Sequence, residues 1–193
     1  MGEMSRRDKF LVICLCFCSV ILDQYVKLWV HFNMKLGELR DMGLIHFYYV
    51  TNPGICMGHV FEWEHWKLLL LLLRFALIYY VVKKVFYDST QYLYRRLRMY
   101  GAGLILGGAI GNCIDIIFYG VLLGNAPSYA PMKLFNGQVI DMLCFSTEPI
   151  NILPEWFPIF GGVHHLPIFN VADMCIIFGA IFFVFFDKKL NDK

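Results

Sequence analysis

Two short steps in this sequence set an amide and a carboxylate three residues apart. They are Asn112 and Asp115 in GGAIGNCID, and Asn170 and Asp173 in IFNVADMCIIFGAIFFVFF. On a helix that spacing puts both side chains on one face. Both steps border apolar runs, where a buried charge costs about 2.5–3.5 kcal/mol and usually marks function. A third carboxylate, Asp141 in GQVIDMLCF, stands in a connecting segment with apolar residues on either side. Asp23 and Lys27 in DQYVK lie four apart, so they share a helix face and can pair. Carboxylates gathered in a dry place share protons and can do general acid–base chemistry. The same residues could instead form an interhelical hydrogen-bond network that only holds a bundle together, at roughly 0.6–2 kcal/mol per contact. Spacing alone leaves both readings open. Arg74, midway along another apolar run, either snorkels or pairs with a carboxylate. His164 and His165 have no carboxylate or histidine at ligand spacing, so no metal or cofactor is expected. No nucleophile elbow is present for a Ser/His/Asp set.

The elements that must position these groups are membrane helices. Of the 193 residues 59% are hydrophobic, and mean hydropathy is +0.57. Four runs stand out, at about 10–30, 66–86, 99–123 and 167–186, each near the ~20 residues that cross a bilayer. Lys/Arg clusters at Arg6–Lys9, Lys83–Arg98 and Lys188–Lys193 fall on one side of such a bundle. The positive-inside rule makes that side the cytoplasm, with both termini there. These clusters read as topology signals and not as a nucleic-acid surface. The loops 31–65 and 124–166 then lie outside. LIHFYYVTNPG is β-rich and ends in a turn signal, which predicts a short strand or hairpin at the membrane surface. HVFEWEHW reads as an interfacial lead into the second span. Gly103, Gly107 and Gly111 recur every fourth residue beside Gly108, which allows close helix approach. The N-terminal run lacks a small-residue cleavage site and reads as an uncleaved first helix. Seven Cys without a CxxC pattern argue against a disulfide framework, and a Cys56–Cys144 bridge is disfavoured. The expected architecture is an all-α membrane protein: one integral membrane domain over 1–193, four transmembrane helices, a small β-structure on the outside, periplasmic or extracellular, and a short interfacial helix.

Five stretches, in order, resemble the lipoprotein signal peptidases (signal peptidase II). They are DQYVK, NPGICMG, GGAIGNCID, VID and FNVAD, running from residue 23 to residue 173. Each is short, but their order and their fit to the topology make the set specific. The resemblance implies a metal-independent aspartyl endopeptidase of the bacterial inner membrane. It would cut diacylglyceryl-modified prolipoproteins just before the lipidated Cys, at the periplasmic face. It further implies that Asp141 and Asp173 are catalytic. Asn52, Gly54, Asn112, Asp115, Asn170, Asp23 and Lys27 would line or support the site. Two departures stand out. The family commonly has Arg after G-N-x-x-D, where this chain has Ile116, and the stretches from Asp115 to Asp141 and from Asp141 to Asp173 are longer than in the family pattern.

The expected partners are a lipid-modified prolipoprotein and membrane lipids, with the enzyme a monomer. A small polytopic transporter or proton-conducting protein is the alternative, because intramembrane Asp, Arg and Asn can also form a proton relay. Polar groups gathered at the outer ends of the spans favour the peptidase.

Overall fold

The computed structural model describes residues 6–43, 45–53, 66–87, 92–145 and 168–188. It is mostly helical, with one small sheet. Helix α1 (Arg6–Asn33) leads into strands β1 (Leu39–Asp41) and β2 (His46–Asn52). Helices α2 (Trp66–Tyr87) and α3 (Tyr92–Ile114) follow. The helix continues past Ile114 as a π-helical segment, Asp115–Tyr119, and the short α4 (Gly120–Leu122). Strand β3 (Val139–Cys144) and helix α5 (Val171–Lys188) complete the order.

The helix boundaries differ from the sequence reading at the ends. Helix α1 runs from Arg6 to Asn33 and α3 starts at Tyr92, so the spans extend into polar flanks. The fourth helix starts at Val171 and not at 167, because Phe169 is taken up in strand pairing. Among the described residues two helices are long and apolar enough to cross a bilayer, Arg6–Asn33 and Leu97–Leu122, and Val171–Phe185 is a shorter apolar helix. Helix α1 exposes Phe10, Ile13, Phe17, Ile21, Tyr25 and Phe32 along its length. A soluble domain rarely shows so large an apolar patch. The expected interfacial segment HVFEWEHW (59–66) lies, but for Trp66, outside the described residues.

Helix α3 is central and packs on α1, α2 and α5. Its glycines make that possible. A Cβ at Gly108 would run into the backbone carbonyl of Ala172 on α5, and one at Gly111 would sit 2.6 Å from an Asp23 carboxylate oxygen on α1. The close approach brings one end of each of three helices, α1, α3 and α5, together.

The sheet has the antiparallel order β1-β2-β3. Alternation along β3 sends Ile140 and Met142, both fully buried, into a cluster with Val30, Met34, Tyr49 and Tyr119. Val139 points the other way, against Leu71, Cys113 and Ile116. Asp141 shares the face of Val139, toward the helix ends. A slip of one residue would exchange the two faces and bury the carboxylate in the wrong cluster.

The long stretch between Asp115 and β3 is a folded loop. It leaves at Gly124 (φ 67°) and returns beside the π-helical segment through Phe135 (φ 64°). The Phe135 N–H donates to the Ile117 carbonyl at 3.0 Å, and the Gly137 N–H donates to the Ile116 carbonyl at 2.9 Å. The loop thus caps carbonyls that the wider helical turn leaves free. Its neck is closed by Asn125 and Gln138. The Gln138 N–H donates to Asn125 Oδ1 (3.1 Å), while Asn125 Nδ2 donates to the Gln138 carbonyl (2.9 Å) and Gln138 Nε2 to the Asn125 carbonyl (2.8 Å). The pinned neck brings the chain back beside the π-helical segment just before β3 begins.

Candidate active site

The site begins at the start of α5. Leu143 and Phe169 form an isolated antiparallel bridge, with Phe169 N donating to the Leu143 carbonyl at 2.9 Å and Leu143 N to the Phe169 carbonyl at 2.8 Å. The Phe169 ring also packs on Phe145, centroids 5.3 Å apart. This stitch sets the next residue, Asn170, beside Asp141. Asn170 is the N-cap of α5. Its Oδ1 accepts from the Asp173 N–H at 2.9 Å, and its own N–H donates to Asp173 Oδ2 at 3.2 Å. That reciprocal pair is a capping box built from Asn and Asp. The N-x-x-D step is therefore first a helix-start signal.

The amide group of the same Asn170 joins the two carboxylates. Its Nδ2 donates to Asp141 Oδ1 at 2.7 Å and to Asn112 Oδ1 at 3.2 Å. Asp141 Oδ2 accepts from Asn52 Nδ2 at 3.0 Å, across the β2–β3 pairing. Asp173 Oδ1 accepts from Asn112 Nδ2 at 2.9 Å. Three amides from three parts of the chain thus fix two carboxylates. Asp141 is 3% exposed. Burial, then the nearby Asp173 charge, push its pKa up to about 7, against the opposing hydrogen bonds from Asn52 and Asn170.

A second cluster lies behind the first. Lys27 is fully buried, and its ammonium meets Asp23 Oδ2 at 2.8 Å, Asp115 Oδ2 at 2.7 Å and Asn112 Oδ1 at 2.9 Å. Three protons find three acceptors. The Asp23–Lys27 pair, readable as a self-neutralised pair at an interface, is instead the interior core of a network. Asp23 Oδ1 accepts the Ala172 N–H at 2.8 Å, satisfying another free donor of the α5 first turn. Asp115 also accepts from Gln24 Nε2 at 2.9 Å and from the Ile140 N–H at 3.4 Å, which ties the helix end to β3. Asn112 connects the clusters, with its oxygen toward Lys27 and its NH2 toward Asp173.

Asn52, Asn112, Asp115, Asp141, Asn170, Asp173, Asp23 and Lys27 are all brought together. Asp115, the look-alike of Asp173 on the neighbouring helix, is engaged by Lys27. Gly54, Cys56, His164 and His165 lie outside the described residues, and Cys144 is a free thiol. Among the described residues no group of His, Cys, Asp or Glu is arranged to hold a metal. Ile116 packs in an apolar cluster. Two members escaped the sequence reading. Gln24 sits inside DQYVK, three residues before Lys27, so its shared face was a usable signal. Tyr119, whose hydroxyl donates to Gln24 Oε1 at 2.9 Å, comes from a distant part of the chain and gives no local signal.

Comparison with known proteins agrees with the motifs. Over 189 residues the chain is 40% identical to a lipoprotein signal peptidase of Amoebophilus asiaticus, covering 95% of this chain and 78% of that one. A lipoprotein signal peptidase of Porphyromonas gingivalis is 31% identical over 186 residues, covering 89% and 80%. The fold is similar to a solved bacterial membrane enzyme, with a TM-score of 0.64 at 22% identity over 93% of this chain and 88% of that one. Residues 15–187 match the family described as Signal peptidase (SPase) II, an aspartic peptidase family, and the chain belongs to it.

Proposed function

We propose that this chain removes the signal peptide of lipid-modified prolipoproteins with Asp141 and Asp173 as the acid–base pair. Family membership favours peptide cleavage over transport. The observation that carries the pair is the Asn170 bridge, which holds Asp141 through its side chain and Asp173 through its backbone.

The surroundings argue for a division of labour. Asp173 accepts from Asn112 Nδ2 and from the Asn170 N–H, at the start of a helix where negative charge is favoured. It serves as the base. Asp141, the more buried carboxyl, carries the proton. Asp173 takes a proton from water as the water oxygen attacks the scissile carbonyl carbon, while Asp141 gives its proton to the carbonyl oxygen. The tetrahedral diol then collapses. A diol proton returns to Asp141 as the C–N bond breaks, and Asp173 passes its proton to the leaving amine of the lipidated cysteine. Both carboxyls end as they began, and no metal enters the step.

The chain is a single membrane domain with four spans at α1, α2, the α3–α4 stretch and α5. Its helix ends at the site face the periplasm, its termini face the cytoplasm, and it works as a monomer in the inner membrane. Exposed apolar rows on α1, α2 and α5 support this placement. The test is cleavage of a lipidated precursor by purified protein in detergent. Asp141→Asn and Asp173→Asn are each expected to lose activity by several orders of magnitude. Full activity in either one would sink the pair.

A further inference from the structure

Arg74 is a charged group within the helices that neither cluster uses. It lies eight residues into α2, about 12 Å along the helix from its outer end. Leu71 and Ile78, three before and four after it, share its face and pack against the cluster of Cys113, Ile116 and Val139 on α3 and β3. Arg74 therefore lies on the face of α2 that packs beside Cys113, the neighbour of Asn112. Arg74 is half-buried, and its Nη1 is buried with no hydrogen-bond partner among the described residues. An unpaired buried donor is costly, and more so on a charged group. A free enzyme that keeps such a group is holding it for an acceptor that arrives later.

The proposed reaction brings one. A signal peptide keeps its basic end on the inner side, so the C-terminal end of its apolar helix points outward. That end leaves its last backbone carbonyls unsatisfied and carries the negative pole of the helix. We propose that Arg74 is a substrate-positioning residue that caps the C-terminal carbonyls of the signal helix and sets the scissile bond at the dyad. Ridding the helix end of free carbonyls is what a five-donor guanidinium does better than an ammonium. The inference rests on cleavage occurring at Asp141 and Asp173.

The test combines stability with binding. Arg74→Met removes the unpaired group, so the free protein is expected to melt about 2–4 °C higher. The same variant should raise KM for a lipidated precursor about ten-fold or more. A residue that merely braced the fold would lower the melting temperature instead. Arg74→Lys keeps the charge and should recover much of the KM. Affinity for the precursor measured in an Asp173→Asn background should fall in the same proportion. That arm stands whether or not the dyad assignment holds, which the Asp173→Asn activity reports separately. The KM effect should persist in phosphate-free maltoside micelles. It should vanish with a lipidated probe that lacks the apolar signal segment. An unchanged KM in folded Arg74→Met would overturn the proposal. So would an effect that needs added phospholipid, or one that survives with the truncated probe.

Discussion

At the scale of residues, Asn170 has the largest share of the work. One side chain caps α5, holds Asp141 and touches Asn112, while its backbone N–H holds Asp173. Asn170→Ala should cost about 1 kcal/mol of stability as a lost cap. Its effect on kcat should be far larger, about 100-fold, because a misplaced acid–base pair loses its alignment. Comparing the melting temperature with single-turnover rates on the variant measures both. Asp141 sets the pH behaviour. Its pKa is raised to about 7 by burial and by Asp173. The proton it must donate is present below that value and lost above it, so the rate should fall with an alkaline limb near pH 7. Asn52 donates to the ionised form and opposes the rise. Asn52→Ala should therefore move the limb to higher pH, and a limb that stays in place would contradict the assignment. Linkage gives the matching stability trend. A carboxyl whose folded pKa exceeds its unfolded value of about 3.9 adds stability below that value. The contribution fades as pH rises through about 7. Wild-type melting temperature should thus fall between pH 4 and pH 7, and Asp141→Asn should remove that part of the slope. The sequence showed which residue types were present and which motifs held them. It could not show that an N-x-x-D step is a capping box, because Asn112–Asp115 has the same spelling and a different job.

At the scale of elements, the two N-x-x-D steps diverge because of what precedes and follows each. Asn170 sits outside its helix, fixed by the Phe169 bridge to β3. Asn112 sits inside α3, and Asp115 opens a π-helical turn. Helix α1 contributes Asp23, Gln24 and Lys27 from a single turn, and Gly111 supplies the room for Asp23. Lys27→Met would leave Asp23 and Asp115 buried without their cation. Breaking one partner out of a buried ionic group typically costs about 3–5 kcal/mol. Chemical unfolding in detergent should show that loss, whereas Asp173→Asn, whose partners are neutral amides, should unfold near wild type. Equal losses in the two variants would contradict the division between a bracing cluster and a working pair. Legibility at this scale was partial. The positions of the helices and a strand near Tyr49 followed from hydropathy and β-propensity. The loop between Asp115 and Asp141 did not, since its fold depends on glycines, a left-handed Phe135 and a side-chain ladder that no periodic pattern announces. That loop makes Asp141 depart from the family's spacing, and its neck is pinned by Asn125 and Gln138 just before the strand begins.

At the scale of the whole molecule, the reading turns on orientation. Every polar group of the site lies where α1, α3 and α5 converge beside the sheet, while Arg6, Arg7 and Lys9 lie at the opposite end of α1. Basic flanks on short connections stay in the cytoplasm. The proposed topology therefore has the sheet and the Asp141–Asp173 pair on the far side, where a signal helix inserted from the cytoplasm presents its cleavage end. The loop 123–138 belongs to the same side, and it exposes Ser128 and Tyr129 at its tip. Loop tips of this kind accept insertions without disturbing the scaffold. An epitope inserted after Ser128 should be reached by antibody in intact spheroplasts. The same epitope appended after Lys193 should be reached only after lysis. Cleavage activity of the Ser128 insertion, measured in the same cells, guards against a misfolded reporter. An active insertion whose epitope is hidden until lysis would reverse the orientation. The dyad would then stand at the end of the bilayer from which the substrate's basic segment never leaves.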